Sequence, residues 1–161
     1  VDHDLAALAA VRAWWEHPAQ VRGYNVRVLD LDLRYPETLV NALGEHLDLS
    51  MPVGVLSTLT LDHLEDSELS GLVEALASRL APGSGWGITH LSGMNGAAEV
   101  YTGQAREQGA DTRLVAREPD GLRKVFEAAG WRWRELSPRE PGRGEPPIAA
   151  LNTLAGSSRS S

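Results

Sequence analysis

Apolar strand-like runs alternate with amphipathic helical patterns along most of this chain, and this alternation constrains the fold most. The run Pro52–Leu61 is apolar on both faces, as expected of a central strand in a parallel sheet. In the next segment, Asp66–Leu80, leucine and valine recur with the 3.6-residue period of a helix that packs one face. Strands joined by helices favour an open, mainly parallel α/β sheet. A length of 161 residues fits one domain, which we place over residues 1–155.

The same patterns predict the remaining elements. Helices are predicted over Asp4–Trp15, from Pro36 through Leu47, over Asn95–Gln108 and over Asp120–Ala129. Strands are predicted over Tyr24–Leu33, Trp86–Leu91, Trp131–Leu136 and Ile148–Leu154. The residues expected to face the core are Leu5, Leu8, Val11 and Trp15 in the first helix and Leu39, Leu43 and Leu47 in the second. Asp66 is the expected N-cap of its helix, and the Ser-rich tail at residues 156–161 is expected to be disordered.

Composition excludes several classes of function. The 22 acidic residues outnumber the 15 basic ones, and this net charge of -7 argues against a nucleic-acid partner. The absence of cysteine excludes disulfides, thiol nucleophiles and Cys-based zinc sites, and the five histidines show no i, i+4 pair that would suggest a metal. No apolar run approaches the length of about 20 residues that spans a membrane. We therefore expect a cytoplasmic protein with no membrane partner and no metal.

Acidic residues at the start of the chain suggest a nucleotide site. In open α/β sheets, ligands bind at the carboxyl ends of the strands, and an acidic residue placed between strand and helix binds ribose hydroxyls. Asp2 and Asp4 occupy such a position, although Asp4 is also a good N-cap, which is the favoured role here. In this fold a first strand and a glycine-rich turn normally precede the acidic pair. Because neither precedes it here, we expect a sheet that is incomplete at the amino terminus.

Several segments, in order, resemble class I S-adenosylmethionine (SAM) dependent methyltransferases, and most closely an actinobacterial family long called a domain of unknown function. The segments that carry the resemblance are Asp2–Asp4, Leu31–Glu37, Leu49–Leu56, Leu61–Asp66, Leu80–Ser84 and Thr89–His90. The resemblance implies a Rossmann-like class I methyltransferase sheet, SAM as cofactor and methyl transfer to a small-molecule acceptor. The family's first strand and glycine-rich loop have no counterpart in this sequence. Asp62 stands where the family often has the first of two histidines.

The resemblance also implies cofactor-binding residues. Asp2 and Asp4 form the acidic turn, and Asp2 would accept hydrogen bonds from the SAM ribose. Asp32 would accept a hydrogen bond from the adenine amino group, and the backbone at Leu33 would line the adenine pocket. Asp30 shares a strand face with Asp32 and is a competing assignment. Alternatively, Asp32 is a solvated residue beside Arg34.

Histidines near two predicted strand ends are candidates for a substrate pocket. Asp62 and His63 suggest a general base, since histidine accepts protons near neutral pH. The favoured alternative is a polar turn that leads into the next helix, because methyl transfer requires alignment above all. His63 and His90 together are expected to line the acceptor pocket, and no catalytic residue is assigned.

Two other interpretations remain open. The chain could be a non-catalytic methyltransferase remnant that acts as a scaffold and self-associates through open sheet edges. A fragment of a nicotinamide-dependent Rossmann enzyme would instead continue with parallel strands. The Trp131–Leu136 strand, a Pro/Gly loop and a last short strand fit a methyltransferase terminal hairpin better. On that strand Trp131 and Trp133 are expected to pack under a helix, with Arg132 and Arg134 in solvent.

Overall fold

Five helices and four strands make up the part of the chain that the computed structural model describes, namely residues 1–2, 4–15, 26–90, 92, 95–109, 113–135 and 151–155. The helices are α1 (Leu5–Trp15), α2 (Pro36–His46), α3 (Asp66–Arg79), α4 (Asn95–Glu107) and α5 (Pro119–Ala128). The strands are β1 (Gly54–Thr58), β2 (Gly85–Thr89), β3 (Arg132–Glu135) and β4 (Leu151–Ala155), and a 3₁₀ turn spans Leu61–His63. The predicted loop at residues 138–147 and the tail at residues 156–161 lie outside the described residues.

The four strands form one mixed sheet in the order β1-β2-β4-β3. β1 and β2 are parallel, in a register that pairs Gly54 with Gly85 and Thr58 with Thr89. β4 runs antiparallel to both β2 and β3, so the chain ends in the predicted hairpin rather than in further parallel strands. This arrangement confirms an α/β fold whose short parallel part fits an incomplete Rossmann-like sheet.

β1 lies at the edge of the sheet among the described residues, not at its centre. The prediction of a strand buried on both faces is therefore wrong for this segment. The side chain of Leu56 is 72% exposed, whereas the small polar Ser57 is buried and accepts a hydrogen bond from Trp86 Nε1 at 2.9 Å. An apolar run indicates where a strand can be buried, but the neighbouring strand and helix decide whether it is.

The segment predicted as a strand over Tyr24–Leu33 forms a single bridge within its described part. Asp2 and Asp30 make one isolated parallel bridge, in which Asp2 N–H donates to Leu29 O at 3.2 Å and Leu31 N–H donates to Asp2 O at 2.9 Å. No longer ladder forms along residues 26–33. The prediction is wrong in this part because β propensity produces a strand only where a partner continues alongside.

The core lies between the sheet and helices α2, α3 and α5. The predicted stripe of α3 is confirmed, because all five of its apolar residues are buried; these are Leu69, Leu72, Val73, Leu76 and Leu80. Trp86 on β2 packs edge-on against Phe126 of α5, with ring centroids 5.0 Å apart, and against Trp131 at 5.7 Å. Trp131 and Trp133 belong to this aromatic cluster, as predicted.

Three predictions about the helices are wrong in detail. On α1 only Leu8 of the expected stripe is buried, and both Leu5 and Val11 are exposed; the side chain of Trp15 lies outside the described residues. On α2 the stripe ends before Leu47, which is the C-cap and is 45% exposed. α3 begins at Asp66 itself, and Glu65 is its N-cap. The helical period identified these segments, but which face meets the core depends on the packing partner.

No described helix is long and apolar enough to cross a membrane.

Candidate functional site

The bridge between Asp2 and Asp30 brings together the two acidic segments identified in the sequence. Asp2 is exposed, and its backbone is hydrogen-bonded to both Leu29 and Leu31. Leu31 and Leu33 are partly buried and pack against the core. The segment 31–33 is therefore packed against the core, and the backbone of the exposed residue Asp2 lies beside it.

Asp4 caps helix α1. Its Oδ1 accepts the N–H groups of Ala6 at 2.7 Å and of Ala7 at 3.2 Å, which are otherwise without partners in the first turn of the helix. The preceding carboxylate supports this turn, since Asp2 Oδ1 accepts the Asp4 N–H at 3.0 Å. The favoured N-cap role of Asp4 is confirmed.

Asp32 is held by Arg34. The guanidinium Nε of Arg34 donates to both carboxylate oxygens, at 3.0 and 2.8 Å, and the backbone N–H of Arg34 donates to Oδ1 at 2.9 Å. The hydrogen bond to Asp32, with its negative charge, raises the pKa of Arg34 above its ordinary value. Asp32 therefore lies beside Arg34, as the alternative interpretation predicts, but its side chain is only 18% exposed rather than solvated. An adenine amino group would have to share this carboxylate with Arg34.

Asp62 and His90 are in buried contact between the ends of the two parallel strands. Asp62 belongs to the 3₁₀ turn that follows β1, and His90 directly follows β2. His90 Nδ1 contacts Asp62 Oδ1, and the two residues are 5% and 0% exposed. These residues do form a turn that leads into α3, as the favoured interpretation predicts, but the side chain of Asp62 is directed inward and is fully buried.

The carboxyl ends of β1 and β2 are also joined through Leu59. Its N–H donates to the carbonyl oxygen and to Oγ1 of Thr89, at 3.1 Å in both cases. Leu59 adopts a φ of 54°, in the left-handed region, and it is the one described residue other than glycine that does so. A leucine in this region is strained, and such strain concentrates at functional sites.

Arg117 fixes the turn that carries Asp62. It is buried, and its guanidinium donates to Leu61 O at 3.1 Å and to Leu64 O, as well as to Asp66 Oδ1 at 2.8 Å. From the same loop, Val115 N–H donates to Asp62 O at 2.6 Å. Arg117 was missed in the sequence, because its neighbours form no motif and its partners lie 51 to 56 residues away.

His63 faces a different neighbour from His90. Its side chain is exposed, and Nδ1 lies 2.8 Å from the carbonyl oxygen of Arg113. Arg113 in turn pairs with Glu65 and Glu68 at the start of α3. The structure thus brings His90 together with Asp62, and His63 together with the loop that precedes α5. A shared pocket between the two histidines stays a prediction.

The described part of the chain contains no group of three or more histidine, aspartate or glutamate side chains that could hold a metal.

Comparison with known proteins identifies the family. The model of the S-adenosyl methyltransferase family matches residues 1–131. Among solved structures, a proposed methyltransferase from Thermobifida fusca YX aligns with a TM-score of 0.68 at 22% identity, covering 98% of this chain and 62% of the other. A DUF574-family protein from Streptomyces avermitilis MA-4680 gives 0.61 at 18% identity, covering 97% and 63%.

A more distant fold relative is an O-methyltransferase family protein from Burkholderia thailandensis, with a TM-score of 0.63 at 14% identity, covering 99% of this chain and 43% of that one. The chain therefore spans less than two thirds of the length of these three structural relatives. No curated protein matches the sequence significantly. The family match covers most of the chain and agrees with the motifs and with the fold, and the chain belongs to the S-adenosyl methyltransferase family.

Proposed function

We propose that the chain contributes the ribose and adenine side of a SAM site and takes part in methyl transfer to a small-molecule acceptor. The observation that carries this proposal is the backbone bridge between Asp2 and Asp30, which places the exposed residue Asp2 beside Leu31. SAM, when bound, supplies an electrophilic methyl group. An exposed carboxylate fits the ribose end of SAM, because it accepts hydrogen bonds from two hydroxyl groups.

The residues have distinct proposed roles. Asp2 binds the ribose, and Asp4 orders the turn around Asp2 by capping α1. Asp32 receives the adenine amino group beside Arg34, and the backbone of Leu33 lines the adenine pocket. His63 and His90 line the acceptor pocket. The acidic net charge favours a small-molecule partner over a nucleic acid, and we place the reaction in the cytoplasm.

Ligand-observed NMR with SAM and isothermal titration calorimetry test the cofactor site. We expect weak binding, because this chain spans only 62% and 63% of the length of two structural relatives. Asp2→Ala should weaken the affinity at least about tenfold, which corresponds to about 1.4 kcal/mol. Asp4→Ala removes the cap of α1 and should mainly cost about 1 kcal/mol of stability. The matched control is Asp48→Ala, at an exposed aspartate outside the proposed site, which should leave the affinity unchanged. Absence of any SAM signal, or equal affinity of Asp2→Ala and wild type, would reject the proposed site.

A second candidate function is that of a non-catalytic scaffold that pairs with a second copy of the chain. The observation that favours it is the outer edge of β1, where the exposed Leu56 lies on a strand with no partner on that side in the described structure. Unpaired edges of this kind template strand addition. Sedimentation velocity should show self-association that Leu56→Lys reduces, and a concentration-independent monomer would exclude this candidate.

A further inference from the structure

The burial and the position of the Asp62–His90 pair are typical of a site that accepts a proton. Both side chains are nine-tenths or more buried, and they meet between the carboxyl ends of neighbouring parallel strands. Ligands of open α/β sheets bind at this edge. A buried acid–base pair in this position can exchange a proton with a ligand, which apolar side chains at the strand ends could not do.

The ring nitrogen of His90 that points away from Asp62 has no hydrogen-bond partner among the described residues. His90 Nε2 is buried and accepts or donates no hydrogen bond within the described portion of the chain. Leaving a buried polar atom unsatisfied costs about 1–3 kcal/mol, so such atoms are uncommon in native proteins. The position of Nε2 is therefore explained if a bound ligand supplies its partner.

The geometry determines which partner Nε2 can take. Because Nδ1 faces the carboxylate of Asp62, we assign the imidazole proton to Nδ1. Nε2 of the neutral ring then presents a lone pair and accepts a proton or a hydrogen bond. The missing partner is therefore a donor, such as a hydroxyl group.

The surrounding residues hold this arrangement in place. Arg117 binds the carbonyl oxygens of Leu61 and Leu64, on either side of Asp62, and Val115 N–H binds the carbonyl oxygen of Asp62 itself. These hydrogen bonds hold the turn, and with it the carboxylate of Asp62, in one position. Groups that act on a ligand work best when they are fixed in this way before the ligand binds. A turn that served only to connect β1 and α3 would not need a buried arginine at its base.

We propose that His90 Nε2 accepts the proton of a phenolic acceptor and that Asp62 positions the imidazole; this rests on the proposed methyl transfer. The acceptor O–H bond breaks and its proton passes to Nε2. The oxygen electron pair forms the bond to the methyl carbon of SAM as the carbon–sulfur bond breaks, and the two electrons of the broken carbon–sulfur bond remain on sulfur. Phenols, with a pKa of about 10, release a proton to imidazole far more readily than aliphatic alcohols do.

The test is long-range proton–nitrogen NMR of the chain labelled with ¹⁵N in its five histidine rings, with phenol itself as the probe. His90→Gln assigns the His90 signals, and the exposed His46 on α2 is the internal control. We expect the wild type to carry the proton on Nδ1. Phenol should then shift the Nε2 signal of His90 in a saturable way and leave His46 unchanged.

Asp62→Asn tests whether the charge of Asp62 positions the imidazole, because a residue that only supported the fold would not change the tautomer of His90. It has nearly the same shape as the wild-type residue but lacks the charge, and we expect it to move the proton toward Nε2 and to abolish the phenol response. A proton on Nε2 in the wild type, or an Nε2 signal that phenol does not change, would overturn the proposal even if the variant failed to fold. An unaltered tautomer in a folded Asp62→Asn protein would do so as well. This NMR experiment contains no SAM, so its result does not depend on cofactor binding. A failure of the chain to bind SAM would be detected by the SAM titrations described above.

Discussion

Replacing Arg117 by methionine removes the hydrogen-bond donors beneath the turn that carries Asp62. The guanidinium donates to two carbonyl oxygens, those of Leu61 and Leu64, where both partners are buried, and to one carboxylate, that of Asp66. The side chain of Asp66 is 85% exposed, whereas that of Arg117 is 8% exposed. We expect the carbonyl contacts, not the ion pair, to account for the stabilisation.

The expected magnitude follows from those contacts. Leu64 O loses its donor, which costs about 1–3 kcal/mol. Leu61 O keeps the Leu64 N–H at 3.3 Å and loses only one of its two hydrogen bonds, which costs about 0.5–1.5 kcal/mol. Part of this is returned, because the variant no longer holds a guanidinium out of water. We therefore expect Arg117→Met to lower the free energy of unfolding by about 1–4 kcal/mol. Asp66→Asn removes only a solvent-exposed ion pair and should cost less than about 1 kcal/mol.

Urea unfolding followed by tryptophan fluorescence measures both variants. With an m-value of about 2 kcal/mol per molar, the midpoint of Arg117→Met should fall by roughly 0.5–2 M at unchanged m. The midpoint of Asp66→Asn should fall by less than about 0.5 M. Equal losses in the two variants would show that Arg117 acts through the ion pair, and a loss below about 0.5 kcal/mol in Arg117→Met would refute the reasoning altogether.

Two further predictions concern helix packing and pH. Leu76→Ala in the buried stripe of α3 should destabilise the fold by about 2–5 kcal/mol, whereas Leu47→Ala at the exposed end of α2 should stay within about 0.5 kcal/mol; similar losses in thermal or urea unfolding would show that the wrong face was assigned. Partial burial opposes ionisation of Glu68, but hydrogen bonds from Glu65 N–H and Arg113 outweigh it and hold the pKa of Glu68 below its ordinary value of 4.5. A lowered pKa stabilises the fold at pH values above the ordinary pKa, and this contribution is lost as the pH falls through the lowered one. The urea midpoint should therefore fall more steeply below about pH 4.5 in the wild type than in Glu68→Gln, and parallel acid profiles would contradict this assignment.

Local patterns in the sequence determined the elements that depend on local physics. The 3.6-residue period of α3 predicted its buried face, because a helix this regular can hide only one stripe of leucines. Local rules also account for Pro36 at the start of α2 and for Gly83 and Gly130, whose positive φ few other residues tolerate. Asp4 was likewise predicted as a cap, because its partners are two and three residues away.

Only the tertiary structure decided the features that depend on contacts between residues distant in the sequence. The apolar run around Leu56 suggested burial, but strand order places it at an edge, and no local pattern encodes strand order. The sequence indicated that Asp62 belongs to a polar turn, but only the pairing of β1 with β2 brought His90 against its side chain. The role of Arg117 depends on carbonyl groups more than 50 residues earlier in the chain. A polar side chain has the same sequence signature whether it is solvated or buried, and its chemistry is set by the partners that long-range folding supplies.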